Sequence, residues 1–116
     1  GLGEDLMEGC LSYETVRLMG TGMHPQAAVQ QATMDFAKRL ERRKGKCGAF
    51  SLVAMNNQGE WGVATNVEFS FAVATDQLAP TIYLAYPAED GGNPQIEVAS
   101  QEWLDAYQAR ITAPIK

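Results

Sequence analysis

The chain has 116 residues and a formal net charge of −5 at pH 7, with 46% hydrophobic and 20% charged residues. This length fits one globular domain. The acidic balance argues against a protein that binds nucleic acid over a broad surface. The apolar stretches are much shorter than a membrane span, so no membrane-crossing helix is predicted. Composition leaves the cellular compartment open.

The cysteines and the single histidine do not form a metal-binding pattern. Cys10 and Cys47 stand outside any Cys-x-x-Cys pair, and His24 is the one histidine. These three residues cannot complete the four ligands of a structural zinc site. We therefore expect no metal, no organic cofactor and two buried free thiols, with a disulfide as the less favoured alternative.

The first part of the chain reads as two helices. Apolar residues recur at helical spacing between Asp5 and Met19, and Gly20 is a typical helix end. A second helix is predicted to begin at Pro25 with His24 as its cap. Its apolar stripe consists of Val29, Ala32, Phe36 and Leu40. The stripe of the first helix consists of Met7, Cys10, Leu11 and Leu18, so Cys10 is expected in the core.

Six of the nine basic residues lie near the end of the second predicted helix. They are Lys38, Arg39, Arg42, Arg43, Lys44 and Lys46. Cations at a helix C-terminus oppose the negative end of the dipole, so a solvated helix end is the favoured interpretation. The alternative is contact with an acidic partner or an adjoining subunit.

Strand patterns follow the helices. The segments "AFSLVAM" and "WGVAT" flank the turn-forming "NNQGE", which predicts a hairpin. "FSFAVAT" alternates, and its small residues Ser70, Ala72 and Ala74 suggest a closely covered face. "TIYLAY" is a short fourth strand, "PAEDGGNP" is a loop, and Ser100 is expected to cap a last helix. Helices followed by an antiparallel meander indicate a layered α/β (α+β) fold.

The opening "GLGED" allows several interpretations. It lacks the third glycine of a dinucleotide fingerprint, and Glu4 and Asp5 would repel a pyrophosphate. A plain turn into a helix is the simplest interpretation, because glycine supplies positive φ and the acids favour the helix start. The alternative is a backbone that comes close to a small ligand.

Four segments in order carry a family resemblance: "GLGED", "HPQAAVQQA", "GAFSLVAMNNQGEWGVATN" and "FSFAVAT". From Gly1 to about Thr75, the chain resembles the C-terminal part of glycosylasparaginase and the plant-type L-asparaginase and isoaspartyl peptidase enzymes. These are N-terminal-nucleophile hydrolases. The resemblance implies a four-layer αββα sandwich, of which residues 1–78 would be the C-terminal portion. Residues 79–116, with their predicted helix, form a C-terminal extension that is longer than the family leads us to expect.

The resemblance also implies a chemistry. Family members cut themselves, and a new N-terminal threonine with its own amine as base attacks the side-chain amide of an asparagine derivative. A downstream Thr-Gly-x-Gly stretch supplies the oxyanion hole and lines the substrate site. Its Gly-x-Gly part matches Gly1, Leu2 and Gly3, which are therefore the expected substrate-binding residues.

The nucleophilic threonine has no match among these 116 residues, so the chain has no catalytic residue of its own and is expected to be inactive alone. Its expected partners are the N-terminal part of the same protein, or a second copy, and a small-molecule amide. Neither nucleic acid nor a membrane is an expected partner. The alternative function is a non-catalytic binding or structural module that retains the half-fold.

Overall fold

A computed structural model describes residues 3–115 of the chain. Within this range the chain forms helices α1 (Gly3–Gly9), α2 (Leu11–Gly20), α3 (Pro25–Lys44) and α4 (Gln101–Thr112). Strands β1 (Ser51–Met55), β2 (Trp61–Thr65), β3 (Phe69–Val73), β4 (Thr81–Tyr86) and β5 (Gln95–Val98) lie between α3 and α4. The prediction of helices followed by antiparallel strands is confirmed.

The first predicted helix is broken in two at Cys10. This residue adopts the left-handed conformation, with φ 49° and ψ 43°, which is uncommon for a residue other than glycine. The break brings Gly9 against Phe36, where a Cβ on Gly9 would lie 2.6 Å from Phe36 Cε2. Because the break turns the Cys10 side chain outward, Cys10 is exposed and its predicted place in the core is wrong. Met7 is 75% exposed, whereas Leu11 is buried as expected.

Helix α3 begins and packs as the sequence predicts. The backbone N–H of Gln26 donates to Nδ1 of His24 at 3.1 Å, so His24 is the cap. Pro25 occupies the first helical turn, and Gly45 ends the helix with φ 77°. The predicted stripe is buried along its whole length: Val29, Ala32, Phe36 and Leu40 are each no more than 3% exposed.

The strands form two antiparallel sheets. One sheet has the order β1-β2 and the other the order β3-β4-β5. The chain turns away after β2 because the hydroxyl of Thr65 donates to the carbonyl of Val67 at 2.6 Å and accepts from its N–H at 3.1 Å. Strand β5 was not predicted, since its four residues are too few for the alternation of Gln95 to Val98 to stand out beside the loop before it.

One face of the β1-β2 sheet packs against α3. Gly62 lies opposite Ala54 in the ladder and touches the backbone of α3, where a Cβ would stand 2.8 Å from the carbonyl carbon of Pro25. The side-chain amide of Gln26 donates to the carbonyl of Val63 and accepts from its N–H, both at 2.8 Å. Gln26 therefore fixes the start of α3 to the middle of β2.

The other face of the β1-β2 sheet meets the second sheet through aromatic rings. The ring centroid of Trp61 lies 5.5 Å from that of Phe71 and 5.1 Å from that of Tyr83. The order of layers is therefore α3, the β1-β2 sheet and the β3-β4-β5 sheet. On β1, Val53 and Met55 share the face of Trp61 but stay 53% and 44% exposed.

The molecule is more open than a typical domain of its length. The Cα radius of gyration is 15.6 Å, whereas about 13 Å is typical for a compact chain of this size. The core cluster consists of Leu11, Ala32, Phe36, Leu40 and Phe50, between the helices and the start of β1. Ser100 caps α4 as predicted, accepting from the Trp103 N–H at 3.0 Å.

Candidate functional site

The predicted substrate-binding residues lie at the start of the chain. Gly1 and Leu2 fall outside the described residues, and Gly3 is the first residue of α1. Gly3 is exposed, a Cβ there would meet nothing within 4 Å, and Gly3 is not among the glycines with positive φ. The packing and backbone of the described residues therefore place no requirement for glycine at position 3.

Two ion pairs hold α1 against the end of α3. The Nζ of Lys44 donates to Oδ1 of Asp5 at 2.6 Å, and the side chain of Asp5 is 8% exposed. This hydrogen bond raises the pKa of Lys44 above its ordinary value. Arg43 pairs with Glu8 at 2.8 Å on the exposed surface. Asp5, one of the two acids that follow the opening glycines, is therefore buried and fixes the position of α1.

The start of α1 lies beside the segment that leads into β1. Asp5 and Leu6 border the same narrow crevice as Gly48 and Phe50. Asn66, at the end of β2, fixes this segment: its Oδ1 accepts from the Phe50 N–H at 2.8 Å, and its Nδ2 donates to the Gly48 carbonyl at 3.0 Å. Sequence reasoning missed this role of Asn66, since the two hydrogen bonds join residues that are sixteen and eighteen positions apart.

A cleft of about 660 Å³ opens on the far side of Asn66. Its walls are α3 and the loop 87–92, its apolar residues include Met34 and Phe50, and Asp90 lies at its rim. The loop is held by Gln30, whose Nε2 donates to the Gly91 carbonyl at 2.9 Å. The volume is that of a small-molecule site.

The groups that most resemble catalytic ones are engaged in structural contacts. His24 caps α3 through Nδ1, and its Nε2 lies 3.4 Å from Oε2 of Glu60. The hydroxyl of Thr15 donates to the Leu11 carbonyl at 2.8 Å, in the interior of α2. The hydroxyl of Thr65 is 2.9 Å from that of Ser51 and also bonds to backbone atoms. His24 therefore stabilises the start of α3 and Thr65 the turn after β2, while Thr15 is bonded within its own helix.

The described residues contain neither a cluster of metal-binding side chains nor a membrane-spanning helix. Within residues 3–115, no group of three or more His, Cys, Asp and Glu side chains is placed so that it could hold a metal ion. None of the helices in this range combines the length and apolar character needed to cross a membrane.

The two free thiols differ in surroundings, which predicts different reactivity. Cys10 is exposed, whereas Cys47 is partly buried. Burial, with Glu41 and Asp5 nearby, raises the pKa of Cys47 above its ordinary value of 9.0, and the thiolate is the reactive form. We expect iodoacetamide to modify Cys10 first in the native protein. The rate at Cys47 should still increase with pH above 9.0, because its raised pKa places full conversion to the thiolate above that value. Peptide mass spectrometry over time measures both rates, and the urea-unfolded chain is the control. Equal rates in the native protein would contradict the structure.

Comparison with known proteins gives one match. The family model described as asparaginase matches residues 1–83. This range contains α1 to α3, β1 to β3 and the start of β4, and leaves β5 and α4 outside. Searches of curated proteins and of solved structures found no match.

Proposed function

This chain belongs to the asparaginase family, and we propose that it is the C-terminal part of a threonine-nucleophile amidohydrolase. Membership of the family indicates an amidohydrolase-type function for the parent protein. The proposed substrates are asparagine, β-aspartyl peptides or N-glycosyl-asparagine, cleaved at the side-chain amide. The observation that carries the proposal is the family match over residues 1–83, which begins at the Gly-x-Gly stretch.

The surroundings of Gly3 leave room for a substrate beside this stretch. A glycine is needed for positive φ, for a close neighbour within the fold, or for a close neighbour from outside it. Gly3 meets neither of the first two conditions among the described residues. A substrate whose backbone or carbonyl group comes close to position 3 would meet the third condition, a close neighbour from outside the fold. Gly1 and Leu2 complete the proposed stretch.

The proposed mechanism assigns the nucleophile to the N-terminal part of the protein. There, a threonine hydroxyl attacks the amide carbon while its own α-amine accepts the proton. The amide nitrogen leaves with a proton, and water then hydrolyses the β-aspartyl ester. The backbone N–H of Gly1, within an uncut peptide chain, would donate to the developing oxyanion. The ion pair of Asp5 with Lys44 would keep the stretch in position.

Exposed strand surfaces support the N-terminal part as a partner. Val53 and Met55 are half exposed on β1. Ser70 and Ala72 on β3, and Ala74 directly after it, were expected under a covering layer and are exposed. Within the described residues, β1 pairs only with β2 and β3 only with β4, so each has one edge without a neighbouring strand. An apolar cleft of about 290 Å³ lies between β1 and β3, and residues of both strands line it. Additional strands on these edges would bury this surface and complete the proposed sandwich. In this scheme residues 1–78 belong to the enzyme fold and residues 79–116 are the extension.

The test begins with the native preparation from the full-length gene. Denaturing intact-mass analysis should detect a second polypeptide that begins with threonine, and the assembled protein should release ammonia or the corresponding amine from the proposed substrates. The 116-residue chain alone should be inactive. An assembled protein without a threonine, serine or cysteine at the new N-terminus would contradict the proposed amidohydrolase activity. It would favour the alternative, a non-catalytic binding or structural module.

A substitution tests the substrate site separately. In the assembled protein, we expect Gly3→Val to lower kcat/KM at least tenfold, which is about 1.4 kcal/mol of transition-state stabilisation, without changing stability. Gly20→Val is the matched control, since Gly20 also has open space around it and lies at a helix end. If both variants change kcat/KM equally, Gly3 is not part of the substrate-binding site.

A further inference from the structure

Within residues 3–115, a groove between the first helices and α3 carries cations that form no ion pair. It has a volume of about 570 Å³, and its lining includes Glu8, Cys10, Tyr13 and Glu14 on one side and Asp35, Lys38, Arg39 and Arg42 of α3 on the other. We call it the cationic groove. Within residues 3–115, Lys38, Arg39 and Arg42 form no ion pair.

The acidic residues of the cationic groove are already engaged. Glu14 accepts from Arg17 at 2.8 Å and 2.9 Å, and Glu8 from Arg43 at 2.8 Å. Asp35 accepts from the side chain of Gln31 at 3.1 Å. Arg17 and Arg43 thus balance Glu14 and Glu8, whereas Asp35 keeps its charge because its partner is a neutral amide. Among the described residues that line the groove, three cations of α3 therefore face one carboxylate that no cation pairs with.

The helix dipole does not account for this clustering. The dipole acts on the last turn, which holds Arg42, Arg43 and Lys44. Lys38 and Arg39 lie further back, and Lys38 is four positions before Arg42, a spacing at which like charges destabilise a helix. A negatively charged partner would turn this repulsion into attraction.

The other half of the chain has the opposite charge pattern. Residues 47–109 contain eight Asp and Glu residues and no Lys, Arg or His. Glu60 faces His24, but the remaining carboxylates of this stretch are exposed and form no ion pair within the described part of the chain. Two of them are adjacent, Glu89 and Asp90, at the centre of a turn closed by the Gly91 N–H and the Ala88 carbonyl at 3.1 Å.

We propose that the cationic groove of one molecule holds the Ala88–Gly91 turn of a second copy. In this turn Glu89 is exposed, and Asp90 accepts from the Gly92 N–H at 2.9 Å through Oδ1, which leaves its Oδ2 free to accept from another donor. Guanidinium groups bind carboxylates in paired hydrogen bonds. Arg39 and Arg42 would meet Glu89 and Asp90 of the second copy. Lys38 borders both the cationic groove and the cleft beside the turn of its own chain, so it would lie at the margin of the contact.

Sedimentation velocity of the native chain tests this contact. We expect association at about 0.01 M NaCl that weakens strongly at about 1 M NaCl, where charges are screened. Association through the apolar sheet faces alone would not weaken with salt. A chain that stays monomeric at low salt over the whole accessible concentration range would overturn the proposal.

Charge reversal locates the contact. Arg39→Glu with Arg42→Glu should weaken association at least about tenfold, and so should Glu89→Arg with Asp90→Arg. Mixing the two variants should restore association, because the reversed turn then meets the reversed groove. Lys46→Glu with Arg110→Glu changes net charge equally outside the groove and should retain association. Failure of the mixture to associate, or an equal loss in the control, would overturn the proposal, and circular dichroism shows that each variant is folded.

Discussion

Replacing Gly62 by alanine is expected to destabilise the protein by about 3 kcal/mol or more. A Cβ at Gly62 would overlap the backbone N and Cα of Gln26 and lie 2.8 Å from the carbonyl carbon of Pro25. These are backbone atoms, so no side-chain rotation can relieve the overlap. The start of α3 would have to move away from β2, and the two 2.8 Å hydrogen bonds between Gln26 and Val63 would stretch with it.

Urea unfolding followed by circular dichroism measures this effect. Gly20→Ala is the matched control, since a Cβ there would meet nothing within 4 Å and alanine is the better helix former. We expect the control to be neutral or slightly stabilising. A loss of less than about 1 kcal/mol in Gly62→Ala would show that α3 can shift on the sheet at little cost.

The fold elements that were predictable are those whose signals are local. A proline, a cap and an apolar stripe of period 3.6 specify α3, and all three lie within twenty residues. The hairpin follows from two alternating segments around a turn, and Ser100 marks α4 by its position alone. In each case neighbouring residues provide enough information to choose the backbone conformation.

The features that were missed depend on contacts between distant segments. The break at Cys10 exists because α1 must pack Gly9 against Phe36, which lies 27 positions away, and this packing overrides a continuous helical pattern. Gln26 reads as an ordinary polar residue of a helix, yet its amide pairs with β2. A single sequence contains no signal for such partners, because many polar residues could serve equally.

The candidate site was predictable only through its resemblance to a family. The Gly-x-Gly stretch alone is compatible with a plain turn, and the residue types around it do not identify an amide substrate. The structure adds a physical point, which is that no residue among positions 3–115 would contact a Cβ at Gly3. It also shows that Asp5, described from the sequence as a helix-start acid, is a buried partner of Lys44.

The same dependence on distant contacts predicts a large effect for Phe36→Ala. Phe36 is 3% exposed, touches Gly9, and meets the ring of Phe50 edge to face at a centroid distance of 6.1 Å. It therefore joins α1, α3 and the start of β1. Removal of a buried phenylalanine ring costs about 3–5 kcal/mol, and we expect a value in this range from urea unfolding.

Met34→Ala is the matched control for this prediction, because Met34 lies on the same helix and is 39% exposed. We expect it to cost less than about 1 kcal/mol. Phe36→Ala should also loosen α1, since the ring is the surface on which Gly9 rests. Hydrogen exchange at residues 3–9 should then rise more than exchange in β2. Similar protection of α1 in both variants would mean that the ion pairs of α1 with Arg43 and Lys44 are enough to hold this helix. The packing of Phe36 would then not be what positions the proposed substrate-binding stretch.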